Sequence, residues 1–477
     1  MNSPTPLWVA FSRFGLGPDP SGGWTPADAR ARVEAQVGVP ATAGLDPSLP
    51  STREGMRRWR DDRNAAVARK AKVVEEQRMA QMKAGETPSV PPPKLPPPDK
   101  DGKRSDGTPP AQQWLRPGQE LKLRLERSLA QPEALPERLT LFWSDHFTVG
   151  VDKGQIIPLV GAYEREALRP NIYAPFRELL FKAVTHPAML LYLDNDQSFG
   201  PDSPLGQKGK RGLNENLGRE ILELHTLGVD GGYTQDDVRA LAAVLSGWVM
   251  VTAVDADSYG DTLFHPPRHE PGPKTILGKT YPEAGADQLR QVLNDLARHP
   301  ATARHVATRM CRSFISEDPP PALVARMADS FRRTDGNLAE VTRVMVTSDE
   351  AWSLPPRKVR PPIELLYVVS RLIGRVPDRP PADRAANAMG QPYFGAPSPK
   401  GWPDEDNAWA TADGIKTRLD WARSVAAMAH QKTDVRQLVN DPLAGVIGDE
   451  TRTAVLQAET QEQALTLLIM SPDLQRR

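Results

Sequence analysis

From residue 114 onward, apolar residues return with a period near 3.6 in one segment after another, and stretches of alternating β-branched residues are scarce. A pattern with that period cannot keep its apolar side chains on one face of a strand. The chain is therefore confined to a mainly α fold, a multihelical globular body. Leu135, Leu139, Phe142 and Trp143 share one side of a helix running from residue 132 to 146, with Pro136 in its first turn, where proline is tolerated. The same reading predicts helices over residues 119–129, 155–168, 174–184, 187–193, 216–227, 235–248, 286–298, 301–314, 321–334, 337–347, 362–374 and 415–430. Gly228 closes one of them, and Thr234 with Asp237 forms a capping-box-like start for the next. Between residues 259 and 282 the pattern breaks into Gly, Pro and His, with room for one short β-hairpin.

The helices are separated by long Pro/Gly-rich loops. The 48 prolines are about twice the usual share. Nine of them fall between Pro88 and Pro110, where the triplets at 91–93 and 96–98 favour polyproline II. The stretch before them, residues 52–86, is rich in Arg, Lys, Glu and Ala and reads as an exposed helix, half of a hairpin leaving the body. Three regions follow: 1–50, an inserted charged helix and proline-rich linker over 51–113, and the main helical body over 114–477.

Composition excludes several classes. Sixty Lys+Arg balance sixty Asp+Glu, without the basic excess of a nucleic-acid binder. No apolar run approaches the ~20 residues that span a bilayer. The first residues carry no basic segment ahead of an apolar one, so the sequence by itself reads as cytoplasmic. Cys311, the single cysteine, has no disulfide or zinc-site partner and is expected in the core.

Two motifs fail on inspection. Gly272 to Thr280 imitates a phosphate-binding loop, but its glycine spacing is one residue too long. The run starting at Asp194 opens like a calcium loop, yet Phe199 and Leu205 stand where Gly and Glu are required. His186, before Pro187, reads as structural. His265 and His269, in a loop with Lys274 and Lys279, suit an anion less well than they suit solvent. Tyr393, Trp402 and Trp409 are either an aromatic platform for sugar or peptide, or packing for a proline-rich chain.

The densest polar chemistry lies in Asn214 to Gly228. At 100° per residue, Asn216, Glu220 and Glu223 fall within an arc of about 60°, while His225 falls among apolar residues. Arg219 and Glu223 stand at i,i+4 and can pair on the helix surface. Two readings remain open. In one, Asn216, Glu220 and Glu223 join Asp145 and His146, and His225 as a further candidate, to hold a divalent metal ion between helices, with Glu220 or Glu223 as base and Arg219 orienting an anion. In the other, these groups form a buried polar network, and His225 bonds a neighbouring helix. His146, near a helix C-terminus, is expected to be favoured in its protonated form by the helix dipole.

Arg13-Phe-Gly-Leu-Gly, Phe142-Trp-Ser-Asp-His-Phe-Thr, His186-Pro-Ala-Met-Leu-Leu-Tyr-Leu-Asp-Asn, the run from Asn214 to Val229, Gly231-Gly-Tyr-Thr-Gln-Asp-Asp-Val and Gly401-Trp-Pro-Asp together resemble the bacterial family called domain of unknown function 1800. The resemblance spans nearly the whole chain, with residues 51–113 as an insertion. It brings no catalytic residues to carry over. Members are often encoded beside an exported, sulfatase-like family, which implies a partner and leaves co-export with it open. An uncharacterised enzyme with a polar, metal-assisted carboxylate/histidine site and a non-enzymatic maturation factor for that partner are the two functions carried forward.

Overall fold

Most helices begin where the sequence supplies a proline or a side-chain oxygen for the free N–H groups of the first turn. The computed structural model describes residues 4–18, 22–42, 45–89, 91, 115–131, 133–252, 257–429, 431–441 and 443–477. In chain order the main helices are α1 (Thr52–Lys83), α2 (Pro117–Ala130), α3 (Leu135–His146), α4 (Phe176–Thr185), α5 (Pro187–Tyr192), α6 (Asn216–Glu220), α7 (Gln235–Leu245), α8 (Ala286–Arg298), α9 (Pro300–Phe314), α10 (Pro321–Arg333), α11 (Leu338–Val346), α12 (Pro362–Ile373), α13 (Ala412–Ala429) and α14 (Gln461–Met470). Ser51 caps α1 by accepting from the Glu54 N–H, and Thr234 and Asp237 close the expected capping box on α7. The fold is mainly α. One contiguous core, reaching from Leu7 to Leu474, binds the first residues to the last.

Three elements depart from the sequence pattern. Residues 155–168 do not form one helix; Ile157–Leu159 is a 3-10 turn, Val160–Tyr163 an α turn and Glu164–Leu168 a π turn. One local and one distant feature mark the break: Pro158 cannot donate, and Gly161 lies so close to Glu120 that a Cβ would collide with its carboxylate. The helix predicted to end at residue 248 stops at Leu245, because Trp248 starts a strand. There are two short antiparallel pairs rather than one hairpin: Trp248–Met250 (β1) with Thr262–Phe264 (β2), and Lys274–Ile276 (β3) with Lys279–Tyr281 (β4). The second pair is the phosphate-loop imitator. Leu277 and Gly278 take positive φ at its tip, so the glycine serves a hairpin turn. Most of the proline-rich segment, with Pro132 and His430, lies outside the described residues. No helix among the described residues is long and apolar enough to cross a membrane.

Glu137 of α3, only 5% exposed, is the charged centre of the body. Arg169 grips its carboxylate with both terminal nitrogens, at 2.6 and 2.9 Å. Arg124 (2.9 Å) and Arg127 (2.6 Å) of α2 and the Tyr367 hydroxyl of α12 (2.7 Å) also donate to it. Burial pushes this carboxyl up, but Arg169 and Arg124 outweigh burial and hold it well below the usual carboxylate range. A buried ion network is costly to break from one side, because the partner charges stay behind without water. Glu137→Gln should therefore lower the unfolding free energy by about 3–5 kcal/mol in urea titrations. Removing the exposed Lys416–Asp420 pair of α13 should leave the midpoint in place.

Candidate functional site

The C-terminal end of α3 meets the loop around Gly401-Trp402-Pro403-Asp404, and a cavity of about 100 Å³ opens between them. Its wall includes Phe142, Asp145, Tyr393, Trp402, Asp404 and Trp409. Asp145 accepts the Trp402 backbone N–H at 2.7 Å. Arg309, reaching in from α9, bridges Asp145 at 3.3 Å and Asp404 at 2.6 Å. The approach of the two segments demands glycine: Gly401 has φ +86°, and a Cβ there would stand 2.6 Å from Asp145 Oδ1. Burial is the main force on the Asp145 carboxyl, lifting it to about 7 against the opposing pull of Arg309 and the Trp402 N–H. Trp402 and Trp409 pack with ring centroids 5.9 Å apart, and the Tyr393 hydroxyl accepts from Arg124 at 2.9 Å. The three aromatics thus share one cavity wall.

His146 takes no part in this cavity wall. It turns into the core, 3% exposed, between Trp143 and Phe147. Its Nε2–H donates to the His225 carbonyl at 3.1 Å, and its ring lies 6.2 Å from that of His225 and 6.0 Å from that of His305. The helix dipole was expected to favour the charged form. Burial reverses this, aided by His305 and Arg309, and holds the imidazole well below its ordinary value. His225 is likewise pushed down to about 3 by burial, and its Nδ1 has no hydrogen-bond partner among the described residues. His305 is lowered by burial, and its Nε2–H bonds the Leu224 carbonyl at 2.9 Å.

The acidic helix occupies a third place. Past Glu220 the chain widens into the π-helical segment Ile221–Thr226, with the Leu227 N–H reaching back five residues to Leu222 O at 3.0 Å. His225 still falls inside, as the helical wheel predicts. Asn216 is exposed, and Glu220 and Glu223 are half-buried. Tyr233 donates to Glu223 at 3.2 Å. Burial and then Glu223 raise the Glu220 carboxyl to about 7. Arg219 does not pair with Glu223; it reaches Glu215 at 3.3 Å and Gln235 at 2.9 Å at the surface. The proposed ligands Asp145, His146, Asn216, Glu220 and His225 are thus spread over a cavity wall, a buried imidazole cluster and a helix flank. Among the described residues no group of three or more His, Cys, Asp or Glu is arranged to hold a metal ion.

His186, His269, Lys274 and Cys311 have structural partners. His186 caps α5 through the Ala188 N–H at 3.1 Å. His269 and Lys274 point inward onto backbone carbonyls, so their loop is no open basic patch. Cys311 is fully buried, with its sulfur 3.3 Å from that of Met327. Arg309 escapes sequence reasoning altogether, because one arginine on an amphipathic helix carries no signal. Asp404 stood in a quoted motif, but nothing in its neighbourhood in the chain linked it to Asp145.

A family model described as protein of unknown function DUF1800 matches residues 9–476, so the chain belongs to that family. No curated protein and no solved structure matches it.

The imidazole cluster gives the chain an acid-sensitive core. His146, His225 and His305 are held neutral in the fold, while an unfolded histidine titrates near 6.5. Their contribution is complete above that value and is lost as pH falls toward about 3 for His225. Asp145 and Glu220, raised to about 7, act in the opposite sense, because in the fold they take up protons before the unfolded chain does. A difference measurement separates the two. Urea midpoints at pH 7 and pH 5 should show His225→Phe losing about 1–2 kcal/mol less than the parent over that interval. Equal losses would mean that His225 is not held neutral.

Proposed function

We propose that this cavity is the substrate site of an enzyme that uses Asp145 for general acid–base catalysis. One observation carries the reading: Asp145 lines a cavity walled by Trp402 and Trp409, while a backbone N–H and the guanidinium shared with Asp404 fix its orientation. A carboxyl that titrates near 7 holds and releases a proton at neutral pH, where an ordinary aspartate has already lost it. Arg309 is a positioning residue, and the indoles offer a flat apolar face to a substrate. The scheme uses protein groups alone. Glu220 and Glu223, flanked by Arg219 and Asn216, are a second proton-transfer candidate on the strength of the raised Glu220 carboxyl.

The rival function is a maturation factor for an exported, sulfatase-like protein. Val67, Val73, Met79 and Met82 are exposed apolar side chains along α1, and this reading places the partner on that helix. Co-purification of that partner, lost when these four become Ser or Gln while the Asp145 cavity is intact, would support the rival.

For the enzyme, carbon NMR of the Asp145 carboxyl should show titration near pH 7, and a value below 5 would remove the acid–base role. Incubation with a bacterial metabolite extract, read by mass spectrometry, should show a conversion that Asp145→Asn slows by about 10²–10⁴-fold. Conversion at the parental rate would overturn the assignment.

A further inference from the structure

The same cavity is lined by four more charged side chains that proton transfer does not use: Arg124, Arg138, Glu364 and Arg477. Glu364 is the acceptor for both Arg138 and, at 2.8 Å, Arg477, and Arg360 stands 4.0 Å from its other oxygen. Three guanidiniums therefore share one carboxylate, and all four side chains are more than nine-tenths buried. Arginine does not shed its proton at any working pH, so the side chains of this cluster carry two positive charges in excess. Arg360 spends its other donors on the carbonyls of Leu474 and Arg476, at 2.9 Å each.

The donor arrangement has the same bias. Arg138 sends Nε to the Arg13 carbonyl at 3.3 Å and Nη1 to Glu364, and its guanidinium lies 5.0 Å from the Phe314 ring centre. Arg124 sends Nε to Glu137 and Nη1 to Tyr393 and Glu164. Among the described residues, Nη2 of each and Nε of Arg477 are buried without a partner, against one unpaired acceptor, Oε2 of Glu364. Leaving a buried charged donor unpaired costs more than leaving a neutral one unpaired. Planar guanidinium forks match carboxylate and phosphoryl oxygens. The same wall carries apolar groups: Phe142, Phe394 and the two indoles.

We infer that the cavity takes an organic oxyanion, with its carboxylate or phosphoryl group against Arg138 and Arg124 and its apolar body against Trp402 and Trp409. This rests on the reading of the cavity as a substrate site and names the substrate class. It places the ligand's charged end on the arginines and leaves Asp145 to face the reacting part.

Trp402 and Trp409 report occupancy by fluorescence. Titration of the full chain with benzoate should change the emission, and benzamide, which is neutral and of the same shape, should bind at least tenfold more weakly. Inorganic phosphate and phenyl phosphate form the second arm. Phenyl phosphate binding in preference to benzoate assigns the charged end to a phosphoryl group, and the reverse assigns it to a carboxylate. Arg138→Met should weaken the preferred probe at least tenfold, with Arg138→Lys in between. The comparison of benzoate with benzamide on the unaltered protein gives an independent measurement if the Arg138 variants do not fold. Asp145→Asn should keep oxyanion binding, so loss of turnover with binding retained separates the acid–base role from this inference. Equal binding of benzoate and benzamide with no response to either phosphate, or no response to any probe, would overturn the inference.

Discussion

The buried carboxylate of Glu137 is the constraint to which the rest of the body conforms. It accepts from Arg124 and Arg127 of α2, from Arg169 beyond the broken helix and from Tyr367 of α12. Its donors come from three segments far apart in the chain, so no one of them can be placed without the others. A desolvated carboxylate tolerates little misplacement, because each missing donor leaves charge exposed to a low-dielectric interior. The network therefore fixes the rotation of α3. With α3 fixed, Asp145 is directed to the cavity and His146 to the core.

Asp145 and His146 are adjacent in the chain and have opposite fates. Asp145 finds a guanidinium and a backbone N–H, and burial keeps its proton. His146 finds aromatic rings and a carbonyl, and burial denies it a second proton. One physical cause, removal from water, thus favours the neutral form of both side chains while leaving only one of them at a cavity. In His146 this cause also defeats the helix dipole, whose effect within one turn is typically below the cost of desolvating an imidazolium.

Much of the fold was legible because helical period and capping chemistry are local. The capping box at Thr234 and Asp237, the stop at Gly228, Pro136 in a first turn and the inward face of His225 all follow from residues within one or two turns. Local rules failed where a distant group intervened. Residues 155–168 carry a helical pattern, yet Gly161 gives way to the Glu120 carboxylate and the segment breaks into short turns. Arg219 had two surface acceptors to choose from, and Gln235 from the next helix decided the matter. The candidate site was legible only in part. Asp145 stood out beside His146, but its grouping with Glu220 and Asn216 rested on motif density, which says nothing about the distance between two helices.

By itself the sequence determined a mainly α chain, its family and most helix boundaries, because those depend on side-chain period and on groups a few residues apart. It also supplied both halves of the cavity, Phe142 to Thr148 and Gly401 to Asp404, as separate motifs. Only the tertiary structure decided that these halves meet, that Arg309 links their carboxylates, and that three arginines gather around Glu364. The physical reason is that burial and charge pairing are properties of neighbours in space. The protonation of Asp145 and the excess of positive charge around Glu364 exist only once α3, α9, α12 and the loop through Gly401 are packed together.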